Sequence, residues 1–408
     1  METQRTERPL PRVSLREQRP QGPILVLLIL LPFLFYWRLW TPHALDRGSF
    51  PHGDLTVQFY AFARYQAQRL TSGEIPLWAP GAYSGFPFLA DVQAASLYPP
   101  RLLAIALSAP WGFPFFALEL EVILHFCLAG VFTFLLGRRL FQDSLAALLA
   151  ALTFAFGGYL TSYPSQQLAI LESAVWLPLA LLWAEKAAGH PRALNRWSLL
   201  CGLALSLSFL AGHPQTAMLV VYTVAAYSLW RNPTWRGLAG LAVSVALAGG
   251  LAAAQLLPTA EYVRLSSRAQ STYDEMAAGF PIQDVVQMLL PGSVSGYSPL
   301  YLGMLPLLLV GAALTLKPER PVRFWFGVAV VGFLLSLGNQ AFLHSLFYLL
   351  VPGWRFFRGQ ERLALVVAFS LSLLVGYGAR AVVGDEAVSR ESRAEFVKGA
   401  AWLPLLLL

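Results

Sequence analysis

The stretch PILVLLILLPFLFYWRLW, residues 23–40, contains one charged side chain in eighteen positions. A bilayer core about 30 Å thick needs roughly 20 apolar helical residues, so this stretch predicts a membrane span. Residues 1–20 hold five Arg and three Glu without an apolar run. No small-residue cleavage site follows, which indicates a cytoplasmic tail and an uncleaved signal anchor.

Nine further apolar stretches predict an all-α polytopic membrane protein. Of the 408 residues, 56% are hydrophobic and 12% charged, more apolar surface than a soluble core absorbs. Another apolar stretch begins near residue 399, which predicts about 10–11 transmembrane helices and a chain that is part of a longer protein. The predicted spans are 22–40, 114–136, 144–160, 168–184, 197–211, 214–230, 237–258, 299–316, 323–337 and 363–379.

Basic side chains fall in alternate connecting segments. With a cytoplasmic N-terminus, Lys186, Lys317 and Lys398 all lie inside, and the outer links at 161–167 and 212–214 carry no Lys or Arg. This is the positive-inside bias of membrane proteins. The same assignment predicts extracytoplasmic loops rich in Pro and Gly, which we expect to carry short interfacial helices. These loops are residues 41–113, 259–298 and 338–362.

The formal net charge of +7 does not indicate a nucleic-acid partner. The positive charge lies mostly in short loops beside apolar runs, where it serves as a topology signal. Cys127 and Cys201 both fall inside apolar segments, where cysteine behaves as a small hydrophobic residue. No disulfide framework or cysteine-based metal site is expected.

Two carboxylates in the first outer loop are candidate catalytic residues. Asp54, in the sequence HGDLTVQFY, follows the first span closely, and a carboxylate at the membrane surface suits a general base. The alternative is a helix N-cap. Asp91 offers a second carboxylate with three open roles: to bind a hard divalent cation, Mg²⁺ or Mn²⁺, together with Asp54, to orient the acceptor, or to cap the following segment.

Arginines in a segment predicted to be outside are candidate anion ligands. Arg355, Arg358 and Arg362 run against the positive-inside bias, and guanidinium groups match phosphate oxygens in two-point geometry. The alternative is snorkelling at the interface. Polar groups at the predicted outer ends of spans indicate a cavity that opens outward. They comprise Glu119, Glu121, His125, Glu172, His213, Gln215, Gln255, Glu261 and Arg264, of which we select His213, Gln215, Glu261 and Arg264 as candidate substrate ligands.

Residues 52–103, HGDLTVQFYAFARYQAQRLTSGEIPLWAPGAYSGFPFLADVQAASLYPPRLL, resemble the first external loop of YfhO-type bacterial membrane proteins. The shared features are an Asp followed by Gln and an aromatic residue, a G-x-x-P-x-W turn, a G-x-P and a Q…YPP, which adds Gln93 and Tyr98 as substrate-binding candidates. GHPQ at 212–215 and RFFRGQERL at 355–363 resemble later segments of the same family. Ala79 stands where relatives commonly have Asn, and the chain ends before the family's usual C-terminal half.

This resemblance implies a GT-C-like glycosyltransferase in the bacterial cytoplasmic membrane. Its donor would be a polyprenyl-phosphate sugar, its acceptor a cell-envelope polymer or lipid, and Asp54 would be the acidic catalytic residue. The alternative is a transporter or flippase of lipid-linked envelope precursors, which binds but does not react. Transporters often show paired halves with broken helices near the midplane, and no such pairing is evident in this sequence.

Overall fold

The computed structural model describes residues 21–81, 84–384 and 388–406; the predicted cytoplasmic tail, residues 1–20, lies outside them. The regular structure of the described residues is helical, and their extended pairing is confined to one bridge between Ala79 and Phe86. The all-α prediction is confirmed. The α-helices are α1 (Gln21–Phe35), α2 (Tyr60–Thr71), α3 (Pro99–Ser108), α4 (Phe115–Phe141), α5 (Ser144–Phe156), α6 (Gly158–Thr161), α7 (Leu168–Ala174), α8 (Leu177–Ala188), α9 (Arg196–Leu210), α10 (Pro214–Arg231), α11 (Trp235–Arg264), α12 (Tyr273–Met276), α13 (Met304–Leu316), α14 (Arg320–Ser336), α15 (Phe342–Leu350), α16 (Ala364–Val383) and α17 (Arg390–Leu406).

Among the described residues, five segments are long and apolar enough to cross a membrane. They are Phe115–Phe141, Ser144–Thr161, Leu168–Ala188, Trp235–Arg264 and Gln360–Val383. Three more predicted spans contain the shorter apolar helices α1, α9 and α13. The two remaining predicted spans contain α10 and α14. Every predicted span therefore contains a helix, as expected for a polytopic membrane protein.

Small residues let the central helices pack closely. A Cβ added at Gly137 of α4 would lie 3.0 Å from Ala147 of α5. A Cβ at Gly202 of α9 would lie 2.7 Å from the carbonyl oxygen of Ser244 in α11. Helices that approach this closely gain dispersion contacts. These contacts matter in a bilayer, because burial of apolar surface drives little association between helices there. The central helix α16 is buried along nearly its whole length.

The segment predicted to end at residue 258 is longer in the structure. Helix α11 continues through Pro258 to Arg264, so Glu261 and Arg264 lie on a helix and not in a loop. The helix passes Pro258 even though proline supplies no backbone N–H. Beyond the predicted boundary, Thr259 donates a hydrogen bond to the carbonyl of Ala90. This contact holds the extension against the first outer loop.

The predicted outer loops carry short helices, as expected. The first loop holds α2 and α3, and the last holds α15. Helices contact the loops at the same end of the bundle. Gln255 of α11 donates to the carbonyl of Leu89 in the first loop, and Gln215 of α10 donates to the carbonyl of Gly359 in the last. We refer to this end as the loop end. The opposite end, where α4 ends at Phe141, we call the basic end.

Candidate functional site

Asp54 lies at the first residue of a helical segment that starts as a π-helix. Leu55–Phe59 form the π-helical turn, and both end residues are buried. Asp54 itself has helical backbone angles, and its side chain makes no capping hydrogen bond. Asp54 therefore occupies the N-cap position without the capping hydrogen bond that the alternative requires. The exposed carboxylate instead accepts a hydrogen bond of 3.1 Å at Oδ2 from Nε2 of Gln167.

A buried contact fixes the chain just before Asp54. The backbone N–H of Phe50 donates to Oε1 of Glu119, at 3.1 Å, and the Phe50 ring packs on Tyr36 with ring centroids 4.9 Å apart. Glu119, predicted to lie near the outer end of its span, is only 5% exposed. Its role is to anchor the loop that presents Asp54.

Asp91 and Gln93 lie in the second half of the same loop. Asp91 Oδ1 accepts from the backbone N–H of Gln93 at 3.0 Å, so Asp91 caps the short 3₁₀ helix Val92–Ala94. The side-chain oxygen of Gln93 accepts from Nε2 of Gln58 at 2.9 Å. Since Gln58 belongs to the π-helical turn, the two halves of the loop are joined beside Asp54.

The segment GHPQ lies against that 3₁₀ helix. Gly212 has φ of +98°, and a Cβ there would lie 2.7 Å from the carbonyl oxygen of Val92. His213 caps α10, because its Nδ1 accepts from the backbone N–H and hydroxyl of Thr216 at 3.2 and 2.8 Å. Gln215 is buried and donates to the Gly359 carbonyl at 3.2 Å. The predicted ligands His213 and Gln215 thus support the backbone of this region.

Gly359 and Gln360 fix the backbone of the segment 355–363, which contains the three candidate arginines. Gly359 has φ of +75°, and Gln360 donates to the carbonyl of Met276 at 2.9 Å. Nη1 of Arg362 is engaged by Oε1 of Glu361, at 3.1 Å, and by the carbonyl of Gly359, at 3.3 Å. Arg362 therefore has a neighbouring negative charge that the sequence prediction did not consider.

Arg355 and Arg358 are exposed. The guanidinium of Arg355 lies 5.2 Å from the centroid of the Phe356 ring. Two exposed guanidinium groups at the loop end remain available to an anion from solution or from the membrane surface. Glu261 and Arg264 are exposed as well, on the last turns of α11.

The loop before α7 links Asp54 with Arg362. Gln167 contacts Asp54, and the side-chain oxygen of Gln166 accepts from the Tyr297 hydroxyl at 3.0 Å. The rings of Tyr297 and Tyr163 pack edge to face at 6.3 Å. Burial raises the pKa of Tyr163 well above its usual range, while the nearby charge of Arg362 acts in the opposite direction. The acid and the arginine are thus placed around one loop.

Tyr98 lies in the core. Its side chain is fully buried, its oxygen accepts from Nε1 of Trp176 at 3.0 Å, and it contacts Nε2 of His125 at 2.7 Å. Nδ1 of His125 lies 2.7 Å from the carbonyl of Glu121. Because a carbonyl only accepts, Nδ1 carries the proton and Tyr98 donates to Nε2.

A buried charge cluster beside this network was missed by the sequence reasoning. Nε of Arg101 lies 2.7 Å from Oε2 of Glu121, and its Nη2 lies 3.4 Å from Oε1 of Glu172. All three side chains are at most 1% exposed. Glu121 and Glu172, considered as groups near the outer ends of spans, are internal partners of Arg101. The signal for Arg101 was its charge within the YPPRLL stretch.

Within the described residues, no group of three or more His, Cys, Asp or Glu side chains lies close enough to bind a metal ion. The segments of Asp54 and Asp91 are joined by a hydrogen bond between Gln58 and Gln93, and Asp91 itself accepts from the backbone N–H of Gln93.

The fold is that of a multi-pass membrane protein, and its candidate site residues lie at the loop end. Residues 24–383 match the family described as bacterial membrane protein YfhO. The match covers most of the 408 residues, so the chain belongs to the YfhO family.

Curated relatives share a smaller part of the chain. An undecaprenyl phosphate-alpha-4-amino-4-deoxy-L-arabinose arabinosyl transferase from Pseudomonas paraeruginosa is 33% identical over 145 residues, which are 34% of this chain and 26% of the relative. The protein of the same name from Pseudomonas aeruginosa is 31% identical over 143 residues, with the same coverage. Each match spans about a quarter of the relative's length.

Proposed function

We propose that the chain is a membrane glycosyltransferase that takes a sugar from a polyprenyl-phosphate donor and transfers it to a cell-envelope acceptor. The relatives named as undecaprenyl-phosphate arabinosyl transferases support the donor class. The observation that carries the proposal is the placement of Asp54, exposed at the start of a π-helical turn and oriented by Gln167. π-helical turns within helices are frequent at functional sites.

The proposed reaction is an inverting transfer at the loop end. The hydroxyl of the acceptor gives its proton to Asp54, its oxygen bonds to the anomeric carbon, and the bond from that carbon to the phosphate oxygen breaks. Polyprenyl phosphate leaves as an anion. Among the described residues, Gln167 supplies the only hydrogen bond to the Asp54 carboxylate, so Oδ1 has room for the acceptor.

Arg355 and Arg358 are proposed to hold the donor phosphate, with Arg362 in support. Both are exposed, and guanidinium groups stabilise the charge that develops on a leaving phosphate. Arg362 is less free because Glu361 binds it. The exposed side chains of Glu261 and Arg264 and the half-buried side chain of Gln93 remain proposed substrate contacts. A divalent cation at Asp54 and Asp91 is a further proposal, and activity in EDTA against activity in Mg²⁺ or Mn²⁺ tests it.

The loop end is proposed to face away from the cytoplasm, with the N-terminus inside. The alternation of Lys and Arg between connecting segments supports this orientation. A lipid-linked donor in the outer leaflet would then reach Asp54 directly from the membrane.

The test uses full-length protein in detergent with a labelled undecaprenyl-phosphate sugar and an envelope acceptor. Asp54→Asn should lower kcat by roughly 100- to 10,000-fold, the range of general-base assistance, while the unfolding midpoint stays unchanged. Asp46→Asn is the matched control, because Asp46 is also an exposed acid in the first loop. Transfer by Asp54→Asn at the parental rate would refute the base assignment. Flipping of the lipid in vesicles without release of polyprenyl phosphate would identify a flippase instead.

A further inference from the structure

A cavity lies far from Asp54, at the basic end. Its volume is about 410 Å³, within the ~300–1,000 Å³ range of small-molecule sites. Helix α4 spans the distance, since Glu119 anchors the Asp54 loop and Arg139 lines the cavity. Twenty residues of helix correspond to roughly 30 Å. The cavity is therefore separate from the proposed transfer site.

The charged groups of the cavity have a positive excess. Three arginines, Arg139, Arg231 and Arg320, line it together with one carboxylate, Glu185. Arg231 binds Glu185 in two-point geometry at 2.9 and 3.3 Å, and Arg139 lies 3.9 Å from the same carboxylate. One carboxylate neutralises one guanidinium, so two positive charges remain.

The two remaining arginines are accessible. The side chain of Arg139 is 52% exposed, and Arg320 is exposed on the first turn of α14. Arg320 lies 5.7 Å from the centroid of Trp230, a cation–π distance that keeps its guanidinium at the cavity wall.

The aromatic wall supplies an unused donor. Trp325 lines the cavity, is 1% exposed and stacks on Tyr227 with ring centroids 5.5 Å apart. Tyr227 donates to Glu185 at 2.8 Å. Within the described residues the indole N–H of Trp325 has no hydrogen-bond partner. A buried donor without a partner is costly, and a ligand oxygen would satisfy it.

We propose that this cavity binds a phosphate-bearing anion. Paired guanidinium groups fit two phosphate oxygens, and basic pockets between membrane helices on the cytoplasmic side suit anionic lipid headgroups. The same chemistry is offered by free inorganic phosphate. The surrounding Trp230, Trp325, Tyr227 and Tyr377 are of the residue types that prefer the membrane interface, so a phospholipid headgroup is the expected source.

The experiment titrates phosphatidylglycerol and phosphatidylcholine into the full chain in neutral detergent and follows binding by native mass spectrometry. The unmodified chain should bind phosphatidylglycerol at least about tenfold more tightly than it binds phosphatidylcholine. Arg139→Gln combined with Arg320→Gln should weaken that binding by roughly 10- to 30-fold, from about fivefold for each arginine near a lipid surface. Arg64→Gln, an exposed arginine on α2, is the matched control and should bind as the unmodified chain does.

A second arm separates the two sources of phosphate. Sodium phosphate is compared with sodium chloride at equal ionic strength by thermal unfolding. If phosphate raises the midpoint of the unmodified chain alone, while both lipids bind equally, free phosphate is the ligand. Should the double variant unfold on purification, Arg320→Gln alone carries the test with an expected loss of roughly fivefold. Equal binding of both lipids without a phosphate response, or undiminished binding in the variants, overturns the proposal.

Discussion

Arg101 connects the first outer loop to two of the membrane helices. It belongs to α3, while its partners Glu121 and Glu172 belong to α4 and α7. One guanidinium faces two carboxylates in a place from which water is excluded. Removing the positive charge therefore leaves buried negative charge without a partner, whereas removing one carboxylate leaves an ion pair.

This asymmetry makes a testable prediction. Arg101→Gln should lower the free energy of unfolding by about 3–5 kcal/mol, the cost of breaking a buried ion pair from one side. Glu172→Gln should cost clearly less, because Arg101 keeps Glu121 at 2.7 Å. Chemical denaturation in mixed micelles measures both, with Arg64→Gln as the exposed control. Equal stability of Arg101→Gln and Arg64→Gln would contradict the argument.

At this scale the sequence predicts polar residues but not their partners. Glu121 and Glu172 were recognisable because carboxylates in apolar spans are costly. Arg101 lies 20 and 71 positions from them in the chain, and hydropathy contains no information about such contacts. Tyr98 shows the same limit. A family motif marked it as a candidate ligand, but in the structure its buried hydroxyl is bonded to Trp176 and His125.

At the scale of elements, the segment after Asp54 combines an expected helix with an unpredicted feature. The outer loops were expected to carry short interfacial helices, and α2 with its π-helical start is one of them. No residue type demands a π-helical turn, so its position cannot be read from the sequence. The helix also contains Gln66, a fully buried side chain that donates to the Ser96 carbonyl at 2.8 Å.

Gln167 should act as a positioning residue for Asp54. It precedes α7 and holds the carboxylate by one hydrogen bond of 3.1 Å. Gln167→Ala should lower kcat by roughly tenfold with little change in KM, because misorientation of a base affects the transition state more than substrate binding. Gln68→Ala, an exposed glutamine on α2, should leave both constants unchanged. A rise in KM alone would assign Gln167 to substrate binding.

Helix α15 should be sensitive to acid. Burial lowers the pKa of His344, whose Nδ1 accepts from Nε1 of Trp354 at 3.3 Å, and its ring packs on Tyr273 and Tyr348. The unfolded chain binds a proton near the ordinary pKa of about 6.5, while the folded chain binds it only at lower pH. The stability from this contact is complete above about pH 6.5 and declines as the pH falls below it.

Thermal unfolding measures this effect. The midpoint should be lower at pH 5.5 than at pH 7.5, and the difference should shrink in His344→Gln, which cannot titrate in this range. The exposed His52 lies outside α15, so His52→Gln should keep the full difference. A pH response that is the same in all three proteins would place its origin elsewhere.

At the scale of the whole molecule, hydropathy and charge predicted most of the architecture. Every predicted span contains a helix, because twenty apolar residues have few alternatives in lipid. The polar contacts of Asp54, Gln166, Gln215 and Gln360 then gather at one end. That these groups share one end was predictable, because connecting segments alternate between the two ends of the bundle along the chain. The cavity at the basic end was not, because it forms between side chains of α4, α8, α10, α14 and α16.

The orientation of the two ends can be tested on the whole molecule with single cysteines. Cys127 and Cys201 are 6% and 2% exposed, so the unmodified chain should react little with a membrane-impermeant maleimide. Ser72→Cys, exposed at the loop end, should be labelled in intact spheroplasts, whereas Leu194→Cys, 64% exposed in the loop between α8 and α9, should react only after lysis. The reason is that arginines and lysines near Leu194 retain their segment in the cytoplasm during insertion. The reverse labelling pattern would put Asp54 in the cytoplasm, where a donor in the outer leaflet could not reach it.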